Sequence, residues 1–426
     1  MATTLVSPTD AVTGARERMA LAKRAARTLG LLSSERKSEM LRAVAARLEA
    51  DSEAIVAANA GDLERGRESG LSAALQDRLR LDPSRVAALA DAVRDVAELP
   101  DPVGRVIEQR RLENGLSLTK VAVPFGVVGS IYEARPNVTV DIAALALRSG
   151  NAVVLRGGSA AEQSNRALIS SMRAALESVG VDPDAIQTVD DFGREGARAM
   201  MQARGLIDVL VPRGSAQLIE TVVTESTVPV IETGAGIVHI VLDESARADW
   251  AIDIVVNAKV QRPSVCNAVE TILVHRGAAD RLIPALVSSL RAAGVTVHGD
   301  AEVSARAEGV VPATPQDWAT EYLSLDIAIR VVDDLDDAIE HIRTYSSQHT
   351  ESIITEDAAA AERFLAEVDS AVVMVNSSTR FTDGGEFGFG AEVGISTQKL
   401  HARGPMGLPE LTSTKWLVRG AGQVRG

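Results

Sequence analysis

The single cysteine of this chain, Cys266, is the residue best suited to nucleophilic chemistry. It lies just before a strand-like run, within the polar and cationic stretch NAKVQRPSVCNAVET, whose members include Lys259, Gln261, Arg262, Ser264 and Asn267. A cationic setting lowers a thiol pKa and favours the thiolate, the form that attacks carbonyl carbons. A lone cysteine is also a common small hydrophobic filler of cores, and the local sequence leaves both interpretations open.

Two turns have the composition of phosphate-binding sites. Arg156, Gly157, Gly158 and Ser159 follow the strand-like run AVVLR, and Gly214 with Ser215 follows the run IDVLV, each just before a helical segment. Backbone amides at a helix N-terminus receive anions well, and two such turns on one sheet favour a nucleotide. Glycine and serine are also ordinary residues of turns between strands and helices, and PFGVVGSI lacks the full GxGxxG pattern.

Three irregular segments mix arginine with Asn, Ser or Thr, a combination that suits a small anionic ligand, although each could equally be a solvated loop. They are EARPNVTVD at 133–141, VNSSTRFTDGGEFGFG at 375–390 and GISTQKLHARGPMG at 394–407.

Composition excludes several classes of protein. The 426 residues carry a net charge of -14, which argues against a chain-wide nucleic-acid surface. No apolar run reaches membrane-spanning length, and MATTLVSPTD lacks the features of a secretory signal, so we expect a cytoplasmic protein. One cysteine permits no internal disulfide, and the six histidines lack close metal-ligand spacing, so we expect no metal.

The elements that must position these residues form an α/β protein of two domains. Helical periodicity fills the first hundred residues, and Asn114-Gly115 between two strand-like runs predicts a hairpin. From residue 127, strands alternate with helices as far as PVI at 229–231, and a second alternating series begins at IVHIVL, residues 237–242. Such alternation predicts parallel sheets covered by helices. Residues 300–320 read as a long loop, and the tail after 377 as irregular.

The sequence resembles the aldehyde dehydrogenase superfamily over essentially its whole length. PFGVVG, GNAVVLR and the cysteine after a long helix are general features of that superfamily, whereas YEARPNVTVD, VIETGAGIVHI, VDSAVVMVNSSTRFTDGGEFGFGAEVGIST and KLHARGPMGL are similar to one acyl-phosphate-reducing branch. The resemblance implies a Rossmann-type cofactor domain, a second α/β catalytic domain and a protruding hairpin for oligomerisation. The cofactor domain would comprise residues 1–104 and 124–231, and the catalytic domain residues 232–394. The oligomerisation hairpin would comprise residues 105–123 with part of 395–426.

The resemblance also implies an activity, the NADPH-dependent reduction of L-glutamyl 5-phosphate to L-glutamate 5-semialdehyde in proline biosynthesis. Cys266 would attack the acyl carbon, phosphate would leave, and the thioester would accept a hydride. The oxyanion would be stabilised by the Asn137 amide and the Cys266 backbone N–H.

Binding roles follow from the same resemblance. Arg156, Gly157 and Ser159 correspond to the adenosine-ribose turn, where an arginine suits the 2'-phosphate of NADP rather than NAD. Gly214 and Ser215 match the pyrophosphate turn, and Glu321 matches a glutamate near the nicotinamide ribose. Arg135, Arg262 and Arg403 would bind the leaving phosphate of the substrate. Ser378, Thr379 and Arg380 would hold its amino-acid end.

Glu232 takes the place of a glutamate that activates hydrolytic water in aldehyde oxidation, a base that an acyl-phosphate reductase does not need. Two alternatives stay open, an ordinary hydrolytic aldehyde dehydrogenase and a nucleotide-binding scaffold with an inert thiol. The hairpin and the late segment LPELTSTKWLV predict strand exchange in a homodimer or homotetramer. No nucleic-acid or membrane partner is expected, and transient contact with glutamate 5-kinase is left open.

Overall fold

A computed structural model describes residues 7–133 and 135–425, without the side chains of Ala73 and Ala74. The first residues of MATTLVSPTD, 1–6, therefore lie outside the described part. The chain divides into two compact units. Unit 1 comprises residues 1–232, 388–394 and 406–426, and unit 2 comprises residues 233–387 and 395–405. None of the helices in the described ranges has the length and apolarity needed to cross a membrane.

Five helices open unit 1, as the apolar periodicity predicts. They are α1 (Pro8–Leu29), α2 (Ser34–Ala50), α3 (Ser52–Glu68), α4 (Ala73–Leu79) and α5 (Pro83–Glu98). Side-chain oxygens of Ser33 and Asp82 accept backbone N–H bonds at the starts of α2 and α5, and Pro83 supplies the first residue of α5. The apolar stripe of α5, formed by Val86, Leu89, Val93 and Val96, is buried.

A three-stranded antiparallel sheet follows in sequence. Its strands are β1 (Val106–Arg111), β2 (Ser117–Pro124) and, near the end of the chain, β16 (Thr412–Arg419), in the order β1-β2-β16. The β1–β2 hairpin turns at Asn114-Gly115, where Gly115 has a φ of 88°, so the predicted hairpin is confirmed. The tail is thus less irregular than expected, because Thr412 to Arg419 pair along the whole of β2.

The second layer of unit 1 is a parallel sheet covered by helices. Its elements are β3 (Val127–Tyr132), α6 (Pro136–Arg148), β4 (Ala152–Arg156), α7 (Glu162–Ser178), β5 (Ile186–Thr188), α8 (Gly193–Met201), β6 (Val209–Arg213) and α9 (Ala216–Glu225). The strand order β5-β4-β3-β6 places the topological switch point between β3 and β6. The strand predicted at PVI is wrong, since Val230 makes only an isolated bridge to Leu210.

Unit 2 is built on a seven-stranded parallel sheet in the order β10-β9-β11-β8-β7-β12-β13. Its elements are β7 (Val238–Leu242), α10 (Ala248–Val260), β8 (Val269–His275), α11 (Arg276–Ala292), β9 (Thr296–Gly299), α12 (Ala301–Ser304), β10 (Val311–Pro312), β11 (Asp326–Val332), α13 (Leu335–Tyr345), β12 (Thr350–Ile354), α14 (Ala358–Glu367), β13 (Val372–Val375), β14 (Ile395–Ser396) and β15 (Gly404–Pro405). The predicted alternating series is confirmed. The loop expected at 300–320 is wrong in part, because it contains α12 and β10.

Candidate active site

Cys266 lies in a turn between α10 and β8, at the edge of the unit 2 sheet where the parallel strands begin. The N–H of Ala268 donates to the carbonyl of Val265 at 3.0 Å and closes the turn around the cysteine. The Cys266 side chain is half-buried, so it is not sealed within the apolar core. This partial exposure is what a thiol needs in order to meet a substrate.

Gly236, on the segment that leads into β7, packs directly against the backbone of this turn. A β-carbon built on Gly236 would lie 1.6 Å from the carbonyl oxygen of Cys266, so no residue with a side chain fits there. The Gly236 N–H donates to Glu321 Oε1 at 2.7 Å. Glu321, predicted to lie near the nicotinamide ribose, is therefore held next to the glycine on which the Cys266 turn rests.

The predicted residues Ser378 and Thr379 lie on the segment after β13, which contacts the same turn. Thr379 Oγ1 donates to the Asn267 carbonyl at 2.8 Å, and Asn267 Nδ2 donates to the carbonyl of Thr382 at 2.8 Å. Ser378 Oγ donates to Asn257 Oδ1 at 2.7 Å. The structure thus brings these hydroxyls beside the nucleophile turn, where they secure it to the segment after β13.

Arg380, from the same segment, bonds to side chains on both sides of the cysteine. Its Nε donates to Gln261 Oε1 at 2.9 Å, and its Nη1 donates to Asn267 Oδ1. Burial lowers the pKa of the Arg380 guanidinium, and the positive charge of Arg262 lowers it further. Arg262 itself is exposed on the Cys266 turn.

Lys259, expected to be part of the cationic setting of the thiol, belongs instead to a buried ion pair. Its Nζ lies 2.6 Å from Glu270 Oε2, and both side chains are 0% exposed. Burial lowers the pKa of Lys259 and raises that of Glu270 to about 7. Because the pair joins the end of α10 to the start of β8, it braces the two ends of the turn without adding net positive charge.

In unit 1, the predicted adenosine-ribose turn follows β4. Gly157 packs so closely that an added β-carbon would lie 2.0 Å from Asn165 Nδ2, and its N–H donates to Asp190 Oδ1 at 2.7 Å. Burial raises the pKa of Asp190 to about 6, opposed by the Gly157 N–H bond and by Arg156. Arg156 Nε is buried without a hydrogen-bond partner in the described ranges, whereas Ser159 is exposed.

The predicted pyrophosphate turn lies at the switch point between β3 and β6, at the N-terminus of α9. Ser215 Oγ accepts from the N–H of Leu218 at 3.4 Å and thereby caps the helix. The carboxylate of Glu133, at the end of β3, accepts from Ser215 Oγ at 2.7 Å and from Ser215 N–H at 3.1 Å. An anion of this chain therefore occupies the place expected for a phosphate, and Gly214 makes room for it.

Asn137, the predicted oxyanion donor, opens the first turn of α6 and is exposed, and Arg135 precedes it. Asn137 Nδ2 donates to Asp141 Oδ2 at 3.1 Å. Asp141 lines a cavity of about 230 Å³ in unit 1, together with Asp95, Val96, Leu145 and Glu392. Burial raises the pKa of Asp141 to about 6, although the Asn137 bond opposes this rise.

Arg403, predicted to bind the leaving phosphate, lies beside the start of β13 in unit 2. Its Nη2 lies 2.9 Å from Asp369 Oδ1 and donates to the Asp369 carbonyl at 2.8 Å. Lys399 pairs with the same carboxylate. Two cations thus share one acid, which leaves a net positive charge at this position.

Sequence reasoning assigned no role to Glu133, Asp141 or Asp190. The run EARPNVTVD contains the first two. Asp141 bonds to Asn137 one helical turn earlier, but the partner of Glu133 is set by pairing between distant strands. Glu133 reaches a residue 82 positions later in the chain. An acidic residue in the turn directly after a parallel strand was the one signal that could have identified it.

Comparison with known proteins shows the family of this chain. Residues 7–307 match the model of the aldehyde dehydrogenase family, so the chain belongs to that family. A protein of Leifsonia xyli subsp. xyli named gamma-glutamyl phosphate reductase is 64% identical over 420 residues, covering 99% of this chain and 100% of that protein. Another of that name, from Clavibacter michiganensis subsp. michiganensis, is 66% identical over 405 residues, 95% of this chain and 94% of the relative.

The crystal structure of gamma-glutamyl phosphate reductase from Thermotoga maritima matches this chain with a TM-score of 0.95 and 44% identity, covering 98% of this chain and 100% of that one. Within its family, the chain belongs with the gamma-glutamyl phosphate reductases. The resemblance inferred from the sequence and the aldehyde dehydrogenase-like fold that it implied are confirmed.

Proposed function

We propose that this chain reduces L-glutamyl 5-phosphate to L-glutamate 5-semialdehyde with NADPH, releasing phosphate, through a thioester at Cys266. The name shared by the similar proteins supports the reaction. The observation that carries the covalent route is the half-buried thiol, set in a turn that packs against Gly236 and is fixed to an arginine-bearing segment. An inert scaffold has no need of such a turn.

In the first step the Cys266 thiolate forms a bond to the acyl carbon, and the bond from that carbon to the phosphate oxygen breaks with its electron pair. Negative charge develops on the carbonyl oxygen, where the Cys266 N–H and the Asn137 amide donate. Arg135, Arg262 and Arg403 are the proposed contacts for the departing phosphate. After reduction, the C–S bond breaks, the thiolate is restored and the semialdehyde leaves.

The residues present fit the proposed NADP(H) cofactor. When bound, NADPH supplies the hydride that reduces the thioester. Within the described residues Arg156 Nε is buried and has no hydrogen-bond partner, which suits a 2'-phosphate, and Gly157 adds no side chain to this turn. Ser159, Gly214 and Ser215 would hold the ribose and pyrophosphate, and Glu321 the nicotinamide ribose.

Phosphate dependence of the reverse reaction tests this proposal against hydrolytic aldehyde oxidation. With semialdehyde and NADP supplied, NADP reduction should require inorganic phosphate, because only phosphate can release the acyl group from Cys266. Equal rates with and without phosphate would reject the proposal and favour the hydrolytic alternative.

Cys266→Ala tests the covalent route itself. The variant should bind NADPH with unchanged affinity, measured by quenching of protein fluorescence, and should lose turnover by at least about 10⁴-fold, as expected for loss of a covalent nucleophile. Retained turnover would overturn the thioester mechanism.

The same proposal places the enzyme in the cytoplasm as a homodimer or homotetramer. Exposed apolar residues of the β1-β2-β16 sheet, among them Ile107, Trp416 and Val418, support self-association. Transient contact with glutamate 5-kinase, which would transfer the labile acyl phosphate directly, stays a prediction.

A further inference from the structure

Arg380 makes hydrogen bonds to the nucleophile turn that its expected role at the amino-acid end of the substrate does not require. The Nε bond to Gln261 and the Nη1 bond to Asn267 reach the turn on both sides of Cys266. Asn267 is itself fixed, because Nδ2 donates to the Thr382 carbonyl at 2.8 Å. The guanidinium is thus held by the residue adjacent to the cysteine and by one five positions before it.

Charged groups lie on the Cys266 turn and on the segments that contact it. Arg262 contributes a cation from the turn itself, and the segment after β13 contributes Arg380 together with the acids Asp383 and Glu386. Glu321 contributes an acid through Gly236, beneath the turn. Lys259 is neutralised by Glu270.

Arg380 is distinguished from Arg262 by its partial burial. A charge held away from solvent acts on its neighbours through a lower effective dielectric constant than an exposed one does. Among the groups that shift the pKa of Arg380, Cys266 raises it, and such an interaction is reciprocal between the two charges. Arg380 is therefore a partly buried cation that is fixed by hydrogen bonds to Gln261 and to Asn267, the residue adjacent to the thiol.

We propose that Arg380 stabilises the Cys266 thiolate and is a catalytic residue of the acylation step, rather than a contact for the amino-acid end of the substrate. This inference rests on the proposed function of Cys266 as the nucleophile. The thiol proton passes to solvent, and the released phosphate takes up a proton. When the thiohemiacetal collapses, the electron pair of the C–S bond returns to sulfur, and the same guanidinium stabilises the departing thiolate.

The chain offers a direct test, because its one cysteine makes alkylation specific for Cys266. The rate of reaction with iodoacetamide is measured against pH for the full-length protein and for Arg380→Met, Arg380→Gln and Arg380→Lys. The thiol pKa should rise by about one unit in the Met and Gln variants, so the alkylation rate at neutral pH should fall about tenfold. Arg380→Lys should restore a large part of that loss.

The Gln variant separates charge from structure, since it keeps an N–H donor for the turn but carries no charge. Should Arg380→Met fail to fold, as judged by circular dichroism, the pH profile of Arg380→Gln decides the question. Arg343→Met, which removes an exposed arginine of α13, is the matched control and should leave the profile unchanged.

An unchanged thiol pKa in Arg380→Gln would overturn the proposal. A shift of the thiol pKa in Arg262→Met that equals or exceeds the shift in Arg380→Met would also overturn it. The titration requires no turnover. Failure of the proposed function, seen as an active Cys266→Ala enzyme, is therefore distinguishable from failure of this inference.

Discussion

At the scale of single residues, the nucleophile turn depends on Gly236, which has no reactive group of its own. Its α-carbon lies so close to Cys266 that an added methyl group would overlap the Cys266 carbonyl oxygen at 1.6 Å. Backbone atoms cannot yield as a flexible side chain can. We therefore expect Gly236→Ala to displace the thiol and the oxyanion-binding N–H and to lower kcat by about 100-fold or more, since small misplacements have effects of this size.

Gly277→Ala is the matched control for that substitution. Gly277 lies in α11, and the three atoms nearest to a methyl group there would all belong to the flexible side chain of the exposed residue Glu244. Its steady-state kinetics should equal those of the unmodified enzyme. A Gly236→Ala enzyme with an unchanged kcat would show that the close approach does not position the nucleophile.

Asp141 gives the stability of unit 1 a pH dependence. Its pKa in the folded protein is raised from 3.8 to about 6, so the folded state binds a proton more tightly than the unfolded state does. The stability that this group contributes is therefore greatest in acid and is lost as the pH rises from 3.8 to about 6. From acid to neutral pH, the unfolding free energy of Asp141→Asn should therefore rise by about 1 to 2 kcal/mol relative to that of the unmodified protein. This range allows for partial exposure of the carboxyl.

Urea unfolding at several pH values measures this effect. The difference in unfolding free energy between Asp141→Asn and the unmodified protein should grow up to about pH 6 and then stay level. Glu113→Gln, on the exposed hairpin, should show no such trend. Parallel pH curves for Asp141→Asn and the unmodified protein would contradict the raised pKa.

The sequence predicted the identities of reactive residues better than their local partners. Cys266, Ser378 and Thr379 were identified from composition and resemblance, and the structure brings them to one turn. The neutralisation of Lys259 could not be predicted, because it requires the knowledge that Glu270 lies next to it across the turn. Ion pairing of this kind depends on three-dimensional distance rather than on sequence spacing.

At the scale of elements, the N-terminus of α9 shows how a helix can hold its own anion in place of a ligand. Glu133 directly follows β3, Ser215 caps α9, and pairing of β3 with β6 brings the two together. Cofactor pyrophosphate at this position would compete with the Glu133 carboxylate. We expect Glu133→Gln to lower KM for NADPH by about three- to tenfold, the effect of removing one negative charge at a helix N-terminus.

Glu220→Gln is the control for this prediction. Glu220 lies further along α9 and is exposed, so its loss changes the net charge equally without freeing Ser215. Steady-state kinetics at low and high salt give the comparison. A KM for NADPH that stays the same or rises in Glu133→Gln would show that the carboxylate does not compete with the cofactor.

Element types were predicted where periodicity was long or strands were fully buried. The run AVVLR became β4 without a change of bounds, because all of its first four residues are buried in a parallel sheet. PVI is not a strand because its two backbone hydrogen bonds both go to Leu210 and form a single bridge that does not continue. The strands β9 and β10 were missed because segments of four and two residues are too short to show a hydrophobic period.

At the scale of the whole molecule, the two units use opposite edges of their parallel sheets. In unit 1 the two predicted cofactor turns follow β4 and β6, at the ends of the strands. In unit 2, Cys266 precedes β8 and Gly236 precedes β7, at the beginnings of the strands. The rule that ligands bind beyond the carboxyl ends of parallel strands therefore describes unit 1 and not the nucleophile of unit 2. The order of residues in the sequence already contains this difference, because Cys266 comes just before a strand-like run whereas the two turns come just after such runs.

The β1-β2-β16 sheet is the part of the molecule that we expect to join subunits. Its outer strands present Ile107 and Val418 with 47% and 57% of their surface exposed. Apolar side chains on unpaired sheet edges favour addition of further strands, whereas lysine opposes it. The unmodified protein should therefore be a homodimer or homotetramer at micromolar concentration, and Ile107→Lys with Val418→Lys should weaken association by about 100-fold or more, since two charges would have to be desolvated.

Light scattering after size-exclusion chromatography measures the mass of each protein. Leu31→Lys, at an exposed apolar position between α1 and α2, should leave the mass unchanged and excludes a general effect of added charge. Because β2 keeps both of its partners within the chain, the double variant should retain its circular dichroism while it dissociates. An unmodified protein with the mass of one chain would refute the predicted self-association, and a folded double variant of undiminished mass would place the subunit contact elsewhere than on these two edges.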